Sequence, residues 1–342
     1  MKITPAIYEK LIRPALFALD PETVHDLAMF ALSSVAHSRL LLKLISNKQD
    51  TRLEKRVFGL KFANPVGLAA GFDKNAVALP AWQALGFGFI EAGTVTARGQ
   101  PGNPKPRIFR LPEQKGLINR LGFNNEGADA MAQRLGLLKK SGLWPHVPVG
   151  INLGKSKVTP IEEATADYLL SFERLLHFGD YFVLNVSSPN TPNLRKLQDS
   201  AAPDDLFGHM QRRNADKKPI LVKIAPDLEW EAIEEILALV KEHEIAGIIA
   251  TNTTIDHSSV EPGKEQQGGL SGEPLRKRST EIVKFITSKS DVPVVAVGGI
   301  MDADAAMEKF DAGAALVQLY TGYVYRGPGL ITEICQRLLA RK

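Results

Sequence analysis

The sequence predicts an α/β protein built as one (β/α)8 TIM barrel over residues 49–342, preceded by a small helical appendage at 1–48. Three observations carry this. From Arg52 onward, eight short apolar runs alternate with helix-like patterns, the beat of parallel strands and crossover helices. No Gly-x-Gly-x-x-Gly follows the first run, so an open doubly wound sheet lacks its usual dinucleotide fingerprint. The runs also end in polar residues or glycine, and such barrels keep their working residues at the C-terminal ends of strands.

The appendage comes first. Ile7, Leu11, Ile12, Ala15, Leu16 and Leu19 recur at helical spacing, and Asp20-Pro21-Glu22 reads as a cap, a first-turn proline and an early acid. A second helix follows, with Val24, Leu27, Ala28, Ala31 and Val35 on one face. Phe17, Phe30 and Leu40-Leu41-Leu42 add apolar surface, flanked by Lys10, Arg13, Arg39 and Lys43. Such a pair can pack on the main domain, dip into a membrane surface or admit a greasy substrate.

The barrel strands are expected at 65–69, 87–95, 147–152, 181–185, 220–224, 247–251, 294–297 and 315–319. The helices between and after them are expected at about 75–85, 127–140, 162–177, 204–214, 230–242, 275–287, 303–310 and 330–339. Two segments break the beat: a Pro/Gly/Arg-rich excursion from Arg98 to Phe123, and a Gly-rich loop after the sixth strand.

Composition narrows the possible functions. The chain has 342 residues, 44% hydrophobic and 23% charged, as in an ordinary globular protein. Its net charge of +4 comes without a Lys/Arg block, so no nucleic-acid surface is expected. The single cysteine, Cys335, excludes an intramolecular disulfide, and the seven histidines show no metal-ligand spacing, so no metal site is expected. No apolar run reaches the ~18 residues of a membrane span, and no signal-peptide pattern opens the chain.

The strand ends form a coherent set. The fourth runs into Leu184-Asn185-Val186-Ser187-Ser188-Pro189-Asn190-Thr191-Pro192, a loop rich in hydrogen-bonding groups and free of charge. One such loop alone is ordinary turn chemistry. Together with Asn152, Asn252, Lys74 and Lys223 at other strand ends, it suits a flat heterocycle with carbonyl, N–H and anionic groups. Gly268-Gly269-Leu270-Ser271-Gly272, Gly298-Gly299 and Tyr320-Thr321-Gly322 follow strands six to eight, where barrels commonly hold phosphate. Either lysine could instead form a Schiff base, as in barrel aldolases.

In order along the chain stand Ala69-Ala70-Gly71-Phe72-Asp73-Lys74, Gly93-Thr94-Val95-Thr96, Asn119-Arg120-Leu121-Gly122-Phe123-Asn124-Asn125, Asn185-Val186-Ser187-Ser188-Pro189-Asn190-Thr191, Lys223-Ile224-Ala225-Pro226-Asp227 and Gly269-Leu270-Ser271-Gly272. Over nearly its whole length the chain thereby resembles the dihydroorotate dehydrogenase family, in its class 2, quinone-linked, membrane-associated form. Departures are slight: Phe72 stands where leucine is common, and Asn193 where glycine is common.

The resemblance implies oxidation of (S)-dihydroorotate to orotate in pyrimidine (UMP) synthesis, with FMN as first electron acceptor and ubiquinone or a related quinone as second. It casts Ser188 as the base for the C5 proton, with the C6 hydride passing to the flavin and Thr191 near enough to assist. Class 1 members use a cysteine there, which this chain lacks. By similarity Lys74, Asn119, Arg120, Leu121, Gly122, Phe123, Asn185, Asn190, Asn252 and Thr253 would hold substrate. Ala70, Gly71, Phe72, Asp73, Lys74, Thr94, Asn152, Asn185, Lys223 and Thr251 would hold FMN, with its phosphate at Gly272, Gly299, Tyr320 and Thr321. The helices of 1–48 become an expected quinone tunnel and membrane contact. A monomer, peripheral on the cytoplasmic face of a bacterial inner membrane, is expected, the short N-terminus without a transit peptide favouring bacteria over mitochondria. Competing readings are a soluble class 1-like flavoenzyme using fumarate or NAD, and a non-catalytic phosphate binder.

Overall fold

The computed structural model describes residues 4–47, 49–191, 194–195 and 201–341, the side chains of 201 and 202 excepted. Pro192 and Asn193 of the loop after the fourth strand lie outside the described residues. The barrel strands are β1 (Val66–Leu68), β2 (Phe89–Val95), β3 (Val149–Leu153), β4 (Tyr181–Asn185), β5 (Ile220–Ile224), β6 (Gly247–Ala250), β7 (Val294–Val297) and β8 (Leu316–Leu319). They form a closed, parallel barrel in sequence order, with β8 returning to pair with β1 through Val317 and Val66. The expected fold is therefore present, with element ends shifted by a few residues.

Alternation along the strands divides the barrel into layers. Phe89, Tyr181, Val183, Leu221, Ile249, Val295 and Leu316 form an apolar cluster with Phe62 of the hairpin Lys55–Val57/Leu60–Phe62, while the residues between them join the outer core beneath the helices. Two residues further along the strands, the same face carries Glu91, Asn185, Lys223 and Gln318, joined by Asn152 of β3. Room for the large rings comes from glycines: a Cβ on Gly67 would lie 2.3 Å from the Phe89 ring, and one on Gly150 2.0 Å from that of Tyr181.

The helix expected from Asn75 starts only at Leu79. The Asp73 carboxylate accepts from the N–H groups of Val77 (2.8 Å) and Ala78 (2.9 Å) and from Trp82 Nε1 (3.1 Å), so residues 73–78 stay a turn beside the barrel mouth. The excursion is also more ordered than its proline content suggested. Ile108–Leu111 pairs antiparallel with Gly116–Asn119, whose other edge takes up Gly269–Gly272 from the loop after β6. Arg98–Gln100 pairs with Asn125–Gly127. An arm therefore stands over the mouth.

The N-terminal region is helical at Pro5–Ile7, Tyr8–Ile12, Arg13–Phe17, Pro21–Ala36 and Arg39–Ile45. Asp20 caps the longest helix, accepting from Thr23 N at 2.8 Å. That helix is fastened to the arm by a buried ion pair: Arg107 donates to Glu22 from Nε at 3.1 Å and Nη2 at 2.7 Å, while its Nη1 donates to the carbonyls of Pro101 and Asn103. Burial raises the Glu22 pKa, but the hydrogen bonds and charge of Arg107, helped by Lys105, outweigh it and hold the group below its ordinary 4.5.

This pair sets the first prediction. A depressed carboxylate pKa stabilises the fold above the unfolded value and is lost as pH falls through the folded one. Glu22→Gln leaves a buried guanidinium without its counter-charge, which costs about 3 kcal/mol. Thermal unfolding at pH 7 should show that loss, and the gap to wild type should close as pH falls below the ordinary 4.5 and through the depressed value at which the wild-type carboxylate protonates. A variant as stable as wild type at pH 7 would deny the pair its fastening role.

Candidate active site

At the C-terminal ends of the strands lies a partly enclosed cavity whose empty space, counted together with its open mouth, is about 970 Å³. Its wall contains Lys74 and Lys223 but no aspartate or glutamate among the described residues, so it favours anionic groups.

The polar inner layer forms the base of this cavity. Glu91 accepts from Asn152 Nδ2 at 2.7 Å and from Gln318 Nε2. Asn152 Oδ1 in turn accepts from Thr94 Oγ1 and from Asn185 Nδ2 at 3.2 Å. Asn185 Oδ1 accepts from Ser187 Oγ at 3.2 Å and Asn252 Nδ2 at 3.3 Å. The result is one amide-rich network spanning several strands. Burial pushes the Glu91 pKa up and the Lys223 pKa down, and each charge opposes the other's shift. Gln318 Oε1 is buried without a partner among the described residues, and Gln318 lines the cavity. It is an acceptor left for a ligand N–H or O–H.

One side of the cavity has little side chain. Gly272, Gly298 and Gly299 all have positive φ, at 95°, 114° and 70°. A Cβ on Gly299 would lie 2.2 Å from Arg276 Cα, and one on Gly272 2.3 Å from the Lys115 carbonyl. Only glycine fits there without displacing backbone. Ser271 and Thr321 close this end through a 2.9 Å hydroxyl contact.

Ser188 faces the cavity, and its Oγ accepts from Asn190 N at 3.3 Å. Asn190 Nδ2 donates to Asn119 Oδ1 at 3.2 Å, joining the β4 loop to the arm. An N–H directed at a hydroxyl oxygen favours its more negative form. Thr191 Oγ1 is buried with no partner among the described residues.

The wall brings together Ala70, Gly71, Lys74, Thr94, Asn119, Leu121, Gly122, Phe123, Asn185, Ser188, Asn190, Lys223, Thr251, Asn252, Thr253, Gly272, Gly299, Tyr320 and Thr321. Asn152 lies just behind it. Three expected residues turn elsewhere. Asp73 caps the turn described above. Phe72 packs among Trp82, Tyr320, Tyr323 and His25. The Arg120 guanidinium donates to the carbonyls of Pro106 and Gln267 and lies over the Phe109 ring at 4.7 Å, outside the cavity wall. Glu91 and Gln318 were missed, while Ser271 was read only as part of the glycine-rich run at the phosphate end. For both missed residues, the signal was a charged or amide residue inside an otherwise apolar strand run.

Lys74 is partly buried, and burial, with the Arg107 charge adding to it, pulls its pKa down to about 8 against the acids Glu22, Asp26 and Asp73. Beside it, His25 of the Pro21–Ala36 helix is pushed down to about 3 by burial and by the Lys74 charge. Its ring lies 5.3 Å from that of Phe72, which lies 5.2 Å from that of Tyr320. An aromatic path thus joins the cavity wall to the N-terminal helices.

With this geometry in view, the comparisons are specific. The family profile described as "Dihydroorotate dehydrogenase" matches residues 52–341. A relative from Gloeobacter violaceus, "Dihydroorotate dehydrogenase (quinone)", is 52% identical over 336 residues, covering 97% of this chain and 94% of its own. One of the same name from Christiangramia forsetii is 51% identical over 344 residues, covering 98% and 99%. Among solved structures, ligand-free DHODH from Eimeria tenella superposes with a TM-score of 0.85 at 36% identity, over 94% of each chain. Its complex with ferulenol gives 0.84 at the same identity, over 94% of this chain and 91% of that one. A profile spanning the barrel, relatives matched almost end to end and a shared barrel architecture agree: the chain belongs to the dihydroorotate dehydrogenase family.

Proposed function

We infer that this protein oxidises dihydroorotate to orotate in pyrimidine synthesis and delivers the electrons through a flavin to a quinone. The observation that carries the chemistry is a cavity wall of amides, hydroxyls and two lysines with no opposing carboxylate among the described residues. The quinone-linked relatives name the substrate and acceptor.

The flavin is FMN in this reading. Its phosphate suits the glycine-rich end formed by Gly272, Gly299, Tyr320 and Thr321. The orphaned Gln318 acceptor and the amides of Asn152 and Asn185 suit a ring that offers N–H and carbonyl groups. When bound, FMN supplies a two-electron acceptor for the hydride from C6. Lys223 offsets negative charge that reduction brings to the ring. Lys74 pairs with the substrate carboxylate, while Asn119, Asn185, Asn190 and Asn252 match the ring amides and hold the substrate in register. Leu121, Gly122, Phe123 and Thr253 complete the enclosure and exclude water. Arg120 is left out of the set, because its guanidinium is committed outside the wall. Ser188 Oγ takes the C5 proton, aided by the Asn190 N–H.

The N-terminal helices form the quinone entrance and the membrane contact. Leu27 and Phe30 are 56% and 73% exposed, with Leu11, Leu19, Leu40 and Leu44 also exposed. No single helix among the described residues is long and apolar enough to cross a membrane; Pro21–Ala36 and Arg39–Ile45 meet at a 115° bend. A bent apolar surface with Lys10, Arg39 and Lys43 beside it suits a protein lying on an anionic lipid surface. In this reading the enzyme is monomeric and peripheral at the cytoplasmic face of a bacterial inner membrane, and the exposed apolar helix surface supports its membrane contact.

Two measurements test the reading. Ser188→Ala should keep its flavin while anaerobic flavin reduction by dihydroorotate slows by about 10²–10⁴-fold, the usual worth of a positioned base. Reduction at the wild-type rate would remove Ser188 from the proton transfer. The double variant Leu27→Glu/Phe30→Glu should lose sedimentation with anionic phospholipid vesicles yet reduce its flavin with dihydroorotate at the wild-type rate. Unchanged vesicle binding would move the membrane contact elsewhere.

A further inference from the structure

Behind the glycine-rich end of the cavity lies a lysine that the reaction does not use. Lys309, on the helix Ala303–Asp311, is fully buried. Its ammonium donates to three neutral oxygens: the Arg276 carbonyl at 3.0 Å, the Thr280 hydroxyl at 2.6 Å and the Ser279 hydroxyl. These acceptors occupy the start of the helix Arg276–Lys289. Ser279 passes the interaction on, donating to the Gly298 carbonyl at 2.9 Å. Lys309 is therefore two hydrogen bonds from the backbone of a residue that lines the cavity.

The contact is close as well as polar. A Cβ on Gly298 would lie 3.0 Å from Leu275 Cδ2 and 3.2 Å from Ser279 Cβ, so the turn after β7 is pressed against the helix that Lys309 holds. Any drift of that helix start would move Gly298 and Gly299.

The charges point the same way. Ser271, Gly272, Gly298, Gly299, Ile300 and Thr321 line this end of the cavity, without a cation among the described residues. Arg276 is close, but its guanidinium is bound to Glu308 at 2.9 Å and to Glu273 at 3.2 Å. Lys309 instead has neutral acceptors, and a cation buried that way is costly unless an anion lies nearby. Burial, with the Arg276 charge adding to it, pulls its pKa down to about 7 against the charges of Glu308 and Glu273, and an anion at the glycine-rich end would favour the charged form further.

We propose that Lys309 is a positioning residue for the flavin phosphate: it fixes the Gly298–Gly299 turn through Ser279 and supplies from behind the positive charge that the wall lacks there. The proposal rests on the reading of the cavity as an FMN site, and it adds a residue outside the wall to that site.

The test is a comparison of FMN with riboflavin, which lacks the phosphate. The full-length protein is stripped of flavin, and both ligands are titrated by quenching of flavin fluorescence, with thermal unfolding of each variant as a folding control. Lys309→Met should weaken FMN roughly tenfold to a hundredfold, the scale of losing one charge-assisted contact, and leave riboflavin within about twofold. Equal weakening of both ligands, or of neither, would overturn the proposal and leave Lys309 a packing residue. If Lys309→Met does not fold, Ser279→Ala carries the same comparison. It should weaken FMN selectively, and equal effects on both ligands would overturn the proposal in the same way. Wild-type protein that shows no preference for FMN over riboflavin would instead contradict the phosphate site itself.

Discussion

The site depends on the mutual burial of Glu91 and Lys223 inside the barrel. Strand alternation puts both on the inward face, one layer above the rings of Phe89 and Tyr181. Neither charge is easily buried alone, because removing an ion from water costs several kcal/mol. Together, and with Asn152 and Gln318 saturating the carboxylate, they become tolerable. The network extends from there to Thr94, Asn185, Ser187 and Asn252, so the amides at the base of the cavity are fixed by side chains on other strands. A site held this way needs little rearrangement to receive a flat, polar ring.

The second constraint is the fastening of the N-terminal helices. Their outward face is too apolar to be a comfortable soluble surface, while their inward face carries Glu22 and His25 to the neighbourhood of Arg107, Phe72 and Lys74. One helix thus presents apolar residues outward on one side and abuts the wall of the cavity on the other. Phe72 illustrates the economy of this arrangement: its ring spans from Tyr320 at the cavity to His25 on the helix.

Much of this was legible in the sequence, for reasons that can be stated. The barrel beat and the strand-end residues were visible because buried parallel strands are short apolar runs and polar residues collect where they end. Ser188, Asn185 and Lys223 sit at such ends. Glu91 and Gln318 were passed over because they lie within the runs, where only the inward period of two gives them meaning. The arm was read as an excursion, since the pairing of Gly116–Asn119 with Gly269–Gly272 joins segments about 150 residues apart. The helix start at Leu79 was misplaced because the Asp73 carboxylate competes for the backbone N–H groups that would have begun it. Arg120 carries the family's motif, yet carbonyls of the arm and of the loop after β6 capture its guanidinium. Lys309 had no sequence signal, because a lysine on a helix ordinarily faces water.

The most direct measurement is the visible spectrum of the purified protein, before and after anaerobic addition of dihydroorotate and then of a quinone. The account predicts a flavin band that bleaches with dihydroorotate and returns with the quinone. A flavin that dihydroorotate leaves oxidised would contradict it.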